Sequence, residues 1–263
     1  RWLGVAFAIL ITICFGLIFN AVQSNTISVA FNNAFGFNKL FIGIIIAILT
    51  SLIIFGGVKR IAKVSEIIVP ILATAYILVA FWVILTNISQ LPSVFKLIFE
   101  NAFGFKQVTA GGFGATVLYG VKRGLFSNEA GMGSAPNAAA TADVSHPAKQ
   151  GLIQTLGVFT DTLVICSCTA FIILLSGSYA NSNLTGIELT QNALASHLGI
   201  FGTYFIALCI LLFAFSSIVG NFYYGQSNIE FIKDNKSFLN IYRVLVIVMI
   251  LFGSVTSVEI VWT

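Results

Sequence analysis

Between Gly124 and Ala140 the chain reads GLFSNEAGMGSAPNAAA, a cluster of residue types suited to binding a charged solute. Ser127, Asn128 and Glu129 offer a hydroxyl, an amide and a carboxylate in succession. Gly131 and Gly133 supply backbone that no side chain crowds. Pro136 lacks an N–H and fits best in the first turn of a helix, and Ser134 is a residue type that caps helix N-termini. The pattern predicts one helix ending near Ser127–Ala130 and another beginning near Ser134 and running through APNAAATADV. Carbonyls freed at the end of the first can hold a cation, and N–H groups opening the second can seat a carboxylate.

The surrounding elements decide whether that chemistry is available. Of the 263 residues, 58% are hydrophobic and only 8% charged, whereas an ordinary soluble domain is about 25% charged. Such a chain cannot cover a water-facing surface. Runs such as FIGIIIAILTSLIIFGGV (41–58), IIVPILATAYILVAFWVIL (67–85) and IYRVLVIVMILFGSV (241–255) approach the length of about 20 residues that spans a bilayer. The fold class expected is an all-α, polytopic membrane protein with about seven transmembrane segments, near 2–30, 39–58, 65–86, 110–140, 151–176, 201–225 and 238–262. Residues 1–263 are expected to form a single transmembrane domain. The chain opens at Arg1 without a Met and stops in or just after an apolar run, as a segment of a longer protein would.

Charge supplies an orientation. With Arg1 in the cytoplasm, the inner connections hold Arg1, Lys59, Arg60, Lys63, Lys149, Lys233 and Lys236, against Lys39, Lys96 and Lys106 outside, the bias that cytoplasmic loops show. The formal charge of +4 is spread over span ends rather than gathered in a patch, which argues against a nucleic-acid partner. The expected surroundings are the lipid bilayer of the cell membrane. Two long outer connections, 87–109 and 177–200, carry LPSVFKLIF and GIELTQNALASHLG, which read as interfacial amphipathic helices. The echo of NNAFGFNK (32–39) in ENAFGFKQ (100–107) reads as two similar turns. Cys14, Cys166, Cys168 and Cys209 sit in apolar spans and read as packing residues, with no disulfide framework or metal-ligand spacing.

The segment 110–140 must therefore cross the membrane although its middle is polar. Broken backbone is tolerated at that depth only where it is buried in protein or lines a watery cavity, and secondary transporters use discontinuous helices in this way. A carboxylate there costs about 2.5–3.5 kcal/mol or more unless compensated, so Glu129 braces the break or titrates; Lys122 and Arg123 lie about two turns before it. A small-residue packing face with a tolerated proline is the alternative.

Other polar groups interrupt the spans. Asn20, Gln23 and Ser24 are three and four apart on one helix face beside Asn25, as either a cavity lining or a polar cap near a loop. Ser216 and Ser217 sit mid-helix, either back-bonded to the preceding turn or ligating Na⁺, with Asn221 one turn on from Ser217. Asp161 reads as a hydrogen-bond hub or part of an ion path. His146 and His197 read as solvated loop residues.

GLFSNEAGMGSAP, followed by HPAKQGLIQTLGVFTDTLV, FAFSSIVG and YYG, resembles the alanine/glycine:cation symporters, as do FNAVQSNTI and FGGVKRIAKVSEIIVP. The resemblance runs the length of the chain. It implies a leucine-transporter-type fold of two inverted five-helix repeats, of which this chain would supply core helices three to nine. The implied activity is Na⁺- or H⁺-coupled symport of small amino acids such as alanine or glycine, with Na⁺ as coupling ion and no other cofactor. The implied substrate contacts are Asn20, Gln23, Phe126, Ser127, Asn128, Met132, Ser217 and Asn221. The implied Na⁺ site is Ser216, Ser217 and the carbonyl of Ala214. Asn221 stands where relatives often carry Trp, and Gln226 where Glu is common, which opens the identity of the substrate.

Two other classes are distinguishable. A passive channel needs a polar stripe along several helices, whereas polarity here clusters at one depth. An enzyme needs a nucleophile–base pair, paired catalytic carboxylates or a ligand cluster, and the sequence displays none.

Overall fold

The structure, a computed structural model, describes residues 1–56, 58–103, 112–129, 131–180, 184–257 and 260; the side chains of 58–65, 68, 112, 113 and 116 lie outside that description. The described residues are helices and turns. In chain order they are α1 (Trp2–Ile13), α2 (Asn20–Phe35), α3 (Lys39–Ile54), α4 (Val58–Thr86), α5 (Leu91–Phe103), α6 (Gly112–Asn128), α7 (Ser134–Ala139), α8 (Pro147–Phe159), α9 (Ser167–Ser176), α10 (Gly186–Leu198), α11 (Ile200–Ile232) and α12 (Lys236–Val255). A π-helical turn, Cys14–Phe19, joins α1 to α2, and another, Thr160–Cys166, joins α8 to α9.

Among the described residues, five helical stretches are long and apolar enough to cross a membrane: Trp2–Phe35, Val69–Thr86, Pro147–Ser176, Ile200–Ile232 and Lys236–Val255. Of the other two segments expected, α3 is apolar but only 16 residues long, and 112–139 is divided between α6 and α7. The two long connections, 87–109 and 177–200, do contain helices, α5 and α10.

Local chemistry sets several boundaries. Gly36 adopts φ 70° after α2 and donates to the Asn32 carbonyl at 2.8 Å, the left-handed stop that glycine permits. Two residues later the Asn38 side chain accepts from Leu40 N at 2.8 Å and starts α3. Asn235 does the same for α12 through Ser237 N. His146 caps α8, its Nδ1 accepting from Ala148 N at 3.1 Å with Pro147 in the first turn. His146 therefore has a structural role, and His197 lies in the last turn of α10 rather than in a loop. The echo turn at 100–107 lies mostly outside the described residues.

The chain divides into two compact units, Arg1–Ala75 with Ser182–Thr263, and Tyr76–Asn181. In the first, Ile27, Ile46, Ile54, Ile218, Phe222 and Ile250 are almost fully buried in one cluster. Close approach of backbones accompanies it, as in membrane helix packing generally. Tyr242 of α12 is buried, donates from its hydroxyl to Phe222 O at 3.1 Å, and stacks on the Phe222 ring. Its phenol occupies a slot that exists because Gly16 and Gly225 carry no side chains; a methyl at Gly16 would lie 2.8 Å from Tyr242 Cε2. The connecting helix α10 is tied down by Gln191, which donates to Ala30 O at 2.9 Å. In the second unit, Tyr76 of α4 meets Thr169 of α9 at 2.6 Å, and Phe95 of α5 packs edge-on against Phe171.

Candidate functional site

The helix breaks where the sequence predicts. α6 ends at Asn128, and α7 begins at Ser134. Between them Glu129 has φ 55°, Gly131 79° and Gly133 90°. Three left-handed residues within five cannot belong to a right-handed helix. Two are glycines, for which this conformation is open; Glu129 is the only non-glycine residue with positive φ among those described, and such outliers concentrate at functional sites. Met132 N donates to Glu129 O at 3.1 Å, closing a turn across the break.

The second half-helix differs from expectation in two respects. Gly133, not Ser134, is its N-cap, and Ser134 is its buried first residue, with Pro136 in the first turn. It is also only six residues long, ending at Ala139 rather than continuing through Val144. Thr141 Oγ1 donates to Ala138 O at 2.8 Å, and Ala142 N to Ala139 O at 3.1 Å. These bonds claim the terminal carbonyls locally, so the chain turns off instead of propagating. A helix this short adds little macrodipole, so the side chains supply most of the polar character at the break.

Those side chains converge on a groove of about 380 Å³ lined by Ser127, Asn128, Glu129, Gln154, Thr155 and Asp161, with small residues between. Ser127 Oγ donates to Asp161 Oδ2 at 2.7 Å and lies 3.1 Å from Cys166 Sγ. Asn128 Nδ2 donates to Thr162 Oγ1 at 3.0 Å. Asp161 and Thr162 belong to the π-helical turn, a feature that recurs at functional sites because it redirects side chains. Asp161 is thus the hub that joins the end of α6 to this turn, and Cys166 has a polar neighbour rather than a purely apolar one. Among the described residues Glu129 forms no ion pair with Lys122 or Arg123. Phe126 and Met132 are half-buried beside the break.

Gln154 and Thr155 were not foreseen. Gln154 and Asp161 are seven apart and share a helix face, so KQGLIQTLGVFTDT carries a polar stripe that periodicity could have found. Because Asp161 accepts from the last turn of α6, Asp161→Ala is expected to release that turn. Hydrogen–deuterium exchange over 124–133 should then rise several-fold, whereas Asp161→Asn, which still accepts, should leave it near wild type.

The first unit holds the remaining candidates. Asn20, Ser24 and Asn25 are buried and Gln23 partly so. Ser24 Oγ donates to Ile250 O at 2.7 Å, and Asn25 Nδ2 to Gly253 O at 2.9 Å and Thr256 O at 2.8 Å, so both fasten α2 to α12. Asn20 differs. Its Nδ2 donates to Gly16 O at 2.9 Å, where the π turn returns to α-helix, while its Oδ1 is buried with no protein partner. A buried acceptor left over calls for an explanation. On α11, Ser216 Oγ and Ser217 Oγ both donate to Phe213 O, at 2.7 and 3.2 Å. A hydroxyl used as a donor keeps its lone pairs, so back-bonding leaves both oxygens able to ligate a cation. Ala214 and Asn221 are buried on the same helix.

Comparison with known proteins gives this geometry a family. The model of the sodium:alanine symporter family matches residues 1–263. The chain belongs to that family. Relatives include the amino-acid carrier protein AlsT of Bacillus subtilis, 59% identical over 262 residues, and the probable sodium/glutamine symporter GlnT of the same organism, 58% identical over 262 residues. These alignments cover all of this chain and 56% and 55% of those proteins. The sodium/alanine symporter AgcS of Methanococcus maripaludis is 36% identical over 263 residues, covering 99% of this chain and 58% of that protein. The chain thus spans little more than half the length of these relatives. Membership of the sodium:alanine symporter family makes it a multi-pass membrane protein of a transporter family and not an enzyme.

Proposed function

We propose that this chain is the greater part of the transmembrane domain of a secondary active transporter that carries small amino acids with Na⁺, or with H⁺, across the cell membrane. The observation that carries the reading is the interrupted crossing at 129–133 beside a polar groove, within a chain otherwise composed of apolar helices. In the proposed arrangement all seven segments cross the membrane, Arg1 faces the cytoplasm, and the chain supplies core helices three to nine of a leucine-transporter-type fold. Alternating access moves one set of helices about the binding region.

The proposed substrate contacts are Asn20, Gln23, Phe126, Ser127, Asn128, Met132, Ser217 and Asn221. Asn20 Oδ1, buried and unpartnered, suits an α-ammonium group, which brings donors and no acceptor. Na⁺ takes oxygen from Ser216, Ser217 and the Ala214 carbonyl, and its charge offsets the substrate carboxylate. Gly131 and Gly133 permit the break, Ser134 and Pro136 begin the helix after it, and Glu129 braces it. A continuous pore is a weaker reading, because a break at one depth favours an occluded site.

The test is uptake by the full-length protein in proteoliposomes. Labelled alanine should accumulate only with an inward Na⁺ or H⁺ gradient and exchange in counterflow. Ser217→Ala or Gln23→Ala should each reduce it at least tenfold, a loss of roughly 1.4 kcal/mol. Uptake unchanged by both substitutions would remove these site assignments.

One relative raises a second substrate. One relative at 58% identity is named as a probable glutamine symporter, and Asn221 presents a buried amide on α11. An amide lining suits a side chain that needs hydrogen bonds, since a polar site rejects analogues that cannot complete them. Unlabelled glutamine is therefore expected to compete with alanine at comparable concentration, and Asn221→Leu to abolish glutamine competition before it impairs alanine uptake.

A further inference from the structure

α3 and α12 enclose a groove that no proposed transport residue lines. Its walls are Ile44, Ile48 and Leu52 from α3 and Ile247 and Leu251 from α12. Ser51 also faces it, but its hydroxyl donates to Ala47 O at 2.7 Å, so the groove presents hydrocarbon. Arg243 stands four residues before Ile247 and eight before Leu251, on the same face of α12. Its guanidinium lies 5.0 Å from the centre of the Phe55 ring, just beyond the end of α3, and Nη1 donates to Asn240 Oδ1 at 3.1 Å. Among the described residues no carboxylate pairs with it. One turn before Ile247 of the groove, α12 thus carries a held cation with no carboxylate partner among the described residues.

We infer that this groove binds an acyl chain of an anionic phospholipid whose headgroup phosphate pairs with Arg243. The planar fork of arginine donors suits phosphate oxygens, and the Phe55 and Asn240 contacts hold that fork before the lipid arrives. Lys233, which ends α11, and Lys236, which begins α12, outnumber Asp234 between them and leave that end net positive, which favours a headgroup without a tethered cation. Arg243 is seven residues from Lys236, about 10 Å along the axis, a depth from which a long side chain reaches the headgroups. The inference rests on the chain being membrane-embedded and not on the orientation proposed above.

The test uses purified full-length protein in mild detergent, with bound lipid counted by native mass spectrometry. Phosphatidylglycerol and phosphatidylcholine of identical acyl chains are the probes. Wild type should retain phosphatidylglycerol at least fivefold better. Arg243→Gln should bring the two lipids to parity without changing the melting temperature, and Ser51→Phe should reduce retention of both. Should Ser51→Phe fail to fold, Leu52→Trp fills the groove from a position that is 57% exposed. Equal retention by wild type overturns the inference, as does a preference that survives Arg243→Gln. Retention untouched by groove filling does so too, including where a second copy or another part of the full-length chain covers this face. Lipid counting involves no transport, so its failure leaves the transport reading standing.

Discussion

Gly253→Val in the full-length protein is expected to leave less than about a tenth of the wild-type amount after detergent extraction. Gly253 of α12 lies directly on α2: even a methyl there would sit 2.6 Å from Ala21 Cα and 2.7 Å from its carbonyl carbon. The obstacle is main chain, which cannot swing aside as a side-chain tip can. Overpacking costs about 1–3 kcal/mol even where side chains adjust, whereas replacing a helical glycine returns at most about 1 kcal/mol of propensity. Sterics therefore win. Forcing the helices apart also stretches the buried bonds from Ser24 to Ile250 O and from Asn25 to Gly253 O, each worth about 0.5–1.5 kcal/mol. Ala21→Gly should not rescue the variant, because it removes a side chain and leaves the obstructing backbone in place. Rescue would mean that the helices do not pack this closely.

Gly133→Val is expected to act in the opposite way, with near-normal abundance and at least tenfold lower uptake. Gly133 holds φ 90°, a conformation that costs an ordinary L residue about 1–3 kcal/mol and a β-branched one more. The half-helix beyond it is only six residues long, so the local structure has little with which to oppose that strain. The segment is expected to rearrange while the packed helices elsewhere persist. Gly133→Asn should fall between the two, since asparagine visits left-handed conformations more readily. Flow-limited uptake measured beside quantitative membrane blotting separates lost transport from lost protein.

The parts of the fold visible in the sequence were those with local causes. Gly36 and Asn38 in NNAFGFNK end one helix and cap the next within three residues, and both residue types announce those roles. The break at 129–133 was legible because Gly131, Gly133 and Pro136 disfavour a continuous helix whatever surrounds them. Features with tertiary causes were hidden. The length of α7 depends on which donors capture its last carbonyls, and Thr141 does so at Ala138. The two π-helical turns follow from a shift in hydrogen-bond register that no residue type signals. Tyr242 reads as one more aromatic until Gly16 and Gly225, far away in sequence, are seen to leave room for it. The same distinction separates neighbours on α2: Ser24 and Asn25 tie helices together, while Asn20 keeps a free acceptor. Asn20 and Asn25 are the same residue type, so the sequence alone does not separate them.

The most direct measurement is an experimental density map of the full-length protein with Na⁺ and a saturating transported amino acid, at a resolution that traces main-chain carbonyls. The account predicts an interrupted ladder between Asn128 and Ser134, with the bound amino acid hydrogen-bonded beside it. Unbroken i to i+4 bonding from Gly124 to Ala140, or a solute bound away from this segment, would contradict it.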